Sequence, residues 1–276
     1  MKNLKKSTII LSILSFLTLF TSANADIKVV ASIKPIHSLA SYLMDGIAKP
    51  NLIVDGYASP HGFALKPSHA KMLQNADIVF WVGEDLENFL EKPLSSIAKK
   101  AEKIELLEVK GLVKLKFRER NIFDDHEDHD DHAKKEDGHD DHDGHEGHNH
   151  GEFDPHIWLD PINAKVILFE MSKHLIENDP SNETAYRANL SKAYKEIDKL
   201  TKDVTAELNE STASIVFHDA YQYFEKRFNV NILGAFTVNT DVMPGAEQLK
   251  EIREVIEHDK VACVFSEPQF NPDIIK

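Results

Sequence analysis

The chain has 276 residues, with 32 basic and 46 acidic side chains and a formal charge of -14 at neutral pH. So acidic a balance repels nucleic acid and anionic membrane and favours cations as partners. More than half of the excess is concentrated in residues 124–150, which carry twelve carboxylates and two lysines.

Lys2, Lys5 and Lys6 precede an apolar run from Ile9 to Phe20, and Ala23-Asn24-Ala25 follows. A basic start, a short apolar stretch and a small-x-small site are the pattern of a secretory signal peptide, residues 1–25. The run is shorter than the roughly 20 residues a membrane-spanning helix needs. Residues 1–25 contain no cysteine to carry a lipid anchor, so the expected product is a soluble, monomeric protein of the periplasm. Ile27–Ile33 reads as a strand, Ile36–Ile47 as a helix through Leu39, Leu43 and Ile47, and Asn51–Val54 as a second strand. A loop with Gly56, Pro60 and Gly62 leads to a helix that Ser68 is placed to cap, ending near Asn75. Asp77–Gly83 is almost continuously apolar, as in a parallel-sheet strand covered on both faces. A helix over Leu86–Lys100 and a strand over Ile104–Leu107 complete a βα rhythm.

Residues 121–152 interrupt that rhythm with His, Asp, Glu and Gly and no apolar period, and read as a disordered insert. Ile162–Ile176 then predicts a helix. Tyr186, Leu190, Tyr194, Ile197, Leu200, Val204 and Leu208 form one stripe on a helix over Asn182–Glu210, about 40 Å long at 1.5 Å per residue. The α/β alternation resumes with strands at Ser214–Phe217, Ile232–Phe236 and Val261–Phe265 and helices at Ala220–Phe228 and Gly245–His258. The expected fold is α/β: a lobe over residues 26–180, a rigid linking helix over 181–210 and a second lobe over 211–276. Both lobes have parallel-type sheets, and the connector limits opening of the cleft between them to a small tilt.

Eight of the fifteen histidines lie in the insert: His126, His129, His132, His139, His142, His145, His148 and His150. Neutral imidazole is a natural ligand for zinc, nickel or copper, and neighbouring carboxylates concentrate cations. These eight are expected to be weak, exchangeable metal sites that lose capacity as the imidazoles become cations below about pH 6.5. Three further histidines stand near strand ends or proline-pinned turns: His61 in ASPHGFALKPS, His156 in FDPHIWLDP and His218 in SIVFHDAYQYF. Open α/β sheets place ligands in that region. Brought together, the three give a nitrogen-only seat for a divalent ion, zinc before manganese, with one tetrahedral position left over. Asp154, Asp160 and Asp219 are candidates to orient an imidazole through its second nitrogen. His69, His174 and His258 read as ordinary solvent-facing side chains, with His37 a candidate for the cleft edge. Cys263 reads either as a buried free thiol in VACVF or as half of a disulfide.

ASPHGFALKPSHAKML, FDPHIWLDPINA, VFHDAYQYFEKRFNV, FTVNTDVMPGAEQLKEIREVI and VFSEPQFNPDII stand in one order along the chain. In these segments the protein resembles the periplasmic zinc-binding proteins of ABC transporters, within the metal-binding cluster of solute-binding proteins. The acidic histidine-rich insert before DPHIWLDP is a mark of the zinc members. The resemblance implies His61, His156 and His218 as ligands of Zn2+ and a permease in the inner membrane as partner. It further implies a water or carboxylate as fourth ligand, since Pro60 stands where some members have glutamate. One more strand and helix are implied beyond Lys276, with a cysteine there that pairs with Cys263 in some zinc members. The residues alone leave open a manganese or iron carrier, a periplasmic zinc buffer and a zinc hydrolase. The hydrolase lacks an HExxH or comparable pairing.

Overall fold

The computed structural model describes residues 26–123, 151–208, 212–238, 240, 244–271 and 273. The signal peptide and all eight insert histidines therefore lie outside the described residues. The first sheet consists of β1 (Val29–Ala31), β2 (Asn51–Leu52), β3 (Ile78–Trp81) and β4 (Glu102–Glu105). Its order is β2-β1-β3-β4 with every pair parallel. β1 and β3 are buried at every position, which is why their sequences are continuous apolar runs and not alternations.

Four helices belong to this layer: α1 (Lys34–Leu43), α2 (Pro67–Asn75), α3 (Glu84–Ser96) and α4 (Pro161–Asn178). α1 starts with proline in its first turn and turns Ile36, Ala40 and Leu43 into the core, where each large side chain contributes about 1.5–3 kcal/mol. Ser68 is not the cap of α2. The helix starts one residue earlier at Pro67, whose fixed φ suits the first position, and the ring of His69 accepts the Lys66 N–H at 3.1 Å. That role buries His69 against Phe63, so it is not a solvent-facing histidine.

α3 departs from helical geometry at Glu87 (φ -119°, ψ 52°). The Glu87 carboxylate turns back to accept the N–H groups of Val82 and Gly83 at 2.9 and 3.0 Å. Gly83 has φ +156°, and a Cβ there would lie 2.9 Å from Glu105 Oε1, so the turn from β3 into α3 requires glycine.

Residues 112–123 leave the first layer and cross to the second. Asn163 in α4 holds Val113 by two hydrogen bonds, and Leu115 N–H donates to the Tyr223 hydroxyl at 3.1 Å. Arg118 binds Asp219 and Glu225, and Ile122 bridges Gly234 in antiparallel sense. The return begins at Gly151, whose N–H donates to Asp85 at 2.8 Å, and continues with Phe153 bridging Lys116. Residues 121–123 and 151–152, read from sequence as part of a disordered insert, are thus pinned at both of its borders. Backbone pairing needs no apolar period, so the residue pattern did not announce it.

α5 (Glu183–Glu207) is a single helix of 25 residues, about 37 Å long. Its first half lies on the first layer and is no free-standing strut. Tyr186 and Ala193 are buried, the Asn189 amide donates to the carbonyls of Leu43 and Asp45, and the Tyr194 hydroxyl donates to the Lys165 carbonyl. Leu200 is 58% exposed where the helix runs on toward the second lobe.

The second sheet has β5 (Ser214–His218) at its centre, between β6 (Ile232–Thr237) and β7 (Cys263–Phe265), all parallel. α6 (Gln222–Phe228) and α7 (Ala246–His258) connect them. Ile215, Phe217, Phe236 and Ile252 form its separate small core. β7 pairs on one side only among the described residues, and Cys263 is exposed there as a free thiol, contrary to the buried-thiol reading.

Candidate metal centre

The cleft is built from the carboxyl ends of both sheets. His61 follows β2, His156 opens a short 3-10 turn (Ile157–Leu159) ahead of α4, and His218 is the last residue of β5. The three rings meet with centroids 5.6 Å (His61–His156), 5.0 Å (His61–His218) and 5.0 Å (His156–His218) apart. Each offers a ring nitrogen, and the three nitrogens lie within 4.8 Å of one another. Around a tetrahedral zinc with bonds of 2.0–2.1 Å such nitrogens stand roughly 3.3 Å apart, so a small inward movement converts this geometry into a coordination shell.

The supports of each ring follow from local sequence. Asp154, two residues before His156, takes both the His156 backbone N–H at 2.9 Å and its Nδ1 at 2.6 Å. Donation of Nδ1–H to the carboxylate fixes the tautomer and leaves the Nε2 lone pair facing the cleft. Asp154 is itself held by the Gln222 amide on Oδ2 and, through its carbonyl, by the Tyr223 hydroxyl. His218 is buried at 5% exposure. Burial, and then the adjacent His156 and His61, hold its imidazole well below the ordinary value and so keep it neutral. His61 is half-buried, and its N–H donates to Ser59 Oγ at 3.2 Å.

Two of the three aspartates expected to orient imidazoles do other work. Asp160 caps α4 by accepting the Ile162 N–H, and it binds Arg227 through two bonds of 2.8 and 2.7 Å. Asp219 is taken by Arg118 at 2.9 Å. Its burial raises the acid to about 6 against the opposing pull of Arg118. Arg118 also binds Glu225 at 2.6 Å, so one guanidinium neutralises two buried acids directly behind His218. His37 is away from the cleft: its Nε2 meets the Pro50 carbonyl at the amino end of β2.

A cavity of about 420 Å³ opens beside the histidines, with Glu267 and Tyr221 on its wall. The Tyr221 hydroxyl donates to Glu267 Oε1 at 3.1 Å, while the buried Oε2 has no hydrogen-bond partner. Burial raises the Glu267 acid above its ordinary range. Sequence reading assigned Glu267 and Arg118 no role. The signal for Glu267 was its place two residues past β7, level with His218 in the register of the parallel β5–β7 pair. For Arg118 it was the alternation of Val113, Leu115 and Phe117 with Lys114, Lys116 and Arg118.

A profile of the family described as ZnuA, "Zinc-uptake complex component A periplasmic", matches residues 29–276. The chain belongs to the ZnuA family. Curated ZnuA relatives include the high-affinity zinc uptake system protein ZnuA of Brucella abortus (strain 2308). It is 47% identical over 263 residues, covering 90% of this chain and 78% of the relative. The protein of that name from Yersinia pestis is 35% identical over 254 residues, covering 91% and 78%. Among solved structures, a crystal structure of ZnuA superposes with a TM-score of 0.72 at 22% identity, covering 90% of this chain and 85% of that one. The Zn(II)-bound ZnuA-like domain of Streptococcus pneumoniae AdcA superposes with a TM-score of 0.64 at 18% identity, covering 88% and 79%. The two-lobed α/β architecture with parallel sheets is thus that of ZnuA structures. No described helix is long and apolar enough to cross a membrane.

Proposed function

We propose that this protein captures Zn2+ in the periplasm between His61, His156 and His218 and delivers it to the permease of an ABC importer in the inner membrane. The observation that carries this reading is the meeting of three imidazole nitrogens within 4.8 Å, drawn from the strand ends of two separate sheets. An all-nitrogen set, which no carboxylate joins among the described residues, suits zinc over manganese, which takes more oxygen ligands. The ion stabilises three imidazoles brought together out of water and favours the arrangement in which both lobes contribute. The fourth position is left to water or a carboxylate, and Glu267 faces the same cavity.

The site is read as a carrier and not as a hydrolase. That reading rests on the family, a zinc-uptake component; Asp154 and Asp219 are engaged by His156 and Arg118, and Glu267 is the carboxylate that a hydrolase would have to use as its base.

Chelator-competition titration of the full chain tests the reading. One tight zinc, lost in His156→Ala and in His218→Ala while weaker binding persists, is the expected result. Unchanged tight affinity in both variants would show that the ligands are misassigned. Delivery is tested by zinc-limited growth of cells in which each variant replaces the native chain. Growth equal to wild type with His218→Ala would separate transport from this site.

A further inference from the structure

A second group of ligand-type side chains lies at the opposite end of the first sheet, where β4 begins beside the last turns of α4. His174 of α4 has its Nε2 3.1 Å from Glu170 Oε1, one turn back. Lys173 binds the same oxygen at 2.9 Å, which makes Glu170 a fixed acceptor for the Nε2 proton. The other ring nitrogen, Nδ1, lies 2.8 Å from Glu102 Oε1 and 3.8 Å from Glu177 Oε2. It is shut off from solvent and has no hydrogen-bond partner, because the direction to Glu102 is wrong for an N–H bond despite the short distance. Glu102 does not drift into this position, since its Oε2 accepts from Asn178 at 2.7 Å.

An imidazole that gives its Nε2 proton to Glu170 has a lone pair on Nδ1, and here that pair faces carboxylate oxygens. Lone pairs held this close repel unless a cation lies among them. From these contacts we infer that Glu102, His174 and Glu177 form a second divalent-metal site, with one nitrogen and two carboxylate oxygens as ligands. Their ligand atoms all lie within 4.8 Å of one another. His174 and Glu177 share a helix face through their three-residue spacing, and Glu102 comes from the neighbouring strand. An ion about 2.0–2.2 Å from each atom satisfies the orphaned nitrogen and cancels the charge of the two acids. Unlike the neutral cleft site, this one is anionic and half-exposed: the Glu102 and Glu177 side chains retain 37% and 56% of their exposure. It joins β4 to α4 and takes no part in the cleft.

Crystals of the full chain grown with Zn2+ and measured at the zinc edge test the site directly. The expected result is an anomalous peak bonded to His174 Nδ1, Glu102 and Glu177, lost in His174→Ala and in Glu177→Gln while any peak at the cleft is unaffected. Glu177 is mostly exposed, so its amide variant retains the fold. A map at saturating zinc without density among these three residues would overturn the proposal, as would an imidazolium of His174 bonded to both Glu102 and Glu170. In solution, zinc should raise the Tm of the His156→Ala/His218→Ala double variant by a few degrees, and adding Glu177→Gln should abolish that shift. Persistence of the shift in the triple variant would also refute the site. Since two of the three cleft ligands are absent from both proteins, this arm stands or falls independently of the proposed cargo site.

Discussion

Replacing Asp154 by asparagine changes the cleft without touching a metal ligand. The carboxylate is 1% exposed and accepts two bonds from one histidine, backbone N–H and ring Nδ1. An amide of the same shape can still accept through its oxygen, but it loses the negative charge that raises the basicity of the ring and attracts the ion. The Gln222 amide, now donating to Asp154 Oδ2, would face an NH2 group in one of the two amide orientations. Losing an outer carboxylate of this kind typically weakens metal binding about 10- to 100-fold, about 1.4–2.8 kcal/mol. Competition against a chelator of known affinity, at pH 7.5 and fixed protein concentration, measures it on the tight component alone. A loss in that range with an unchanged Tm of the metal-free protein is the expected outcome. Tight affinity within about threefold of wild type would mean that Asp154 does not set the ring, and the account of the His156 tautomer would fail.

Three other perturbations test the frame around the site. Glu87 is fully buried, and burial raises its acid from 4.5 to about 7. The folded state therefore keeps a proton that the unfolded chain releases, and stability falls as pH rises through that window, by about 3 kcal/mol in total. Glu87→Gln should match wild type near pH 4.5 and exceed it by an amount approaching that figure at pH 8; urea denaturation giving a pH-independent difference would contradict this. Arg118→Ala leaves Asp219 and Glu225 buried without their cation and should cost about 3 kcal/mol at pH 8, shrinking as pH falls toward 6, because the acids of the variant, without Arg118 to lower them, take up protons first, again by urea denaturation. Gly234→Ala places a Cβ 2.4 Å from the Asn121 carbonyl oxygen. It should push the crossing segment off β6 at a cost of about 1–3 kcal/mol, with faster hydrogen exchange at the Ala235 amide, which Asn121 now accepts; unchanged exchange would show that the clash is absorbed elsewhere.

The strands were legible because burial on both faces demands unbroken apolar runs, as in Ile78–Trp81 and Ser214–His218. The helix-forming stripes of α1 and α7 were equally plain. The placement of the three cleft histidines near strand ends could be read, but not their spacing, which depends on how two independently built sheets face each other. What the sequence concealed was work done by polar groups at long range. Asp160 and Asp219 looked equivalent to Asp154 in proximity to a histidine, yet arginines 67 and 101 residues distant claimed them. His69 and His174 looked idle because a capping bond and an interelement carboxylate contact leave no periodic trace. Ser68 was favoured as a cap by residue type alone, whereas Pro67 set the helix start through its backbone.

Residues on either side of the acidic stretch are fastened to different lobes, Phe123 to Leu233 on the second and Gly151 to Asp85 on the first. A peptide bond cut anywhere in 124–150 would therefore leave two fragments that each retain their moorings and stay associated, with α5 still spanning the pair.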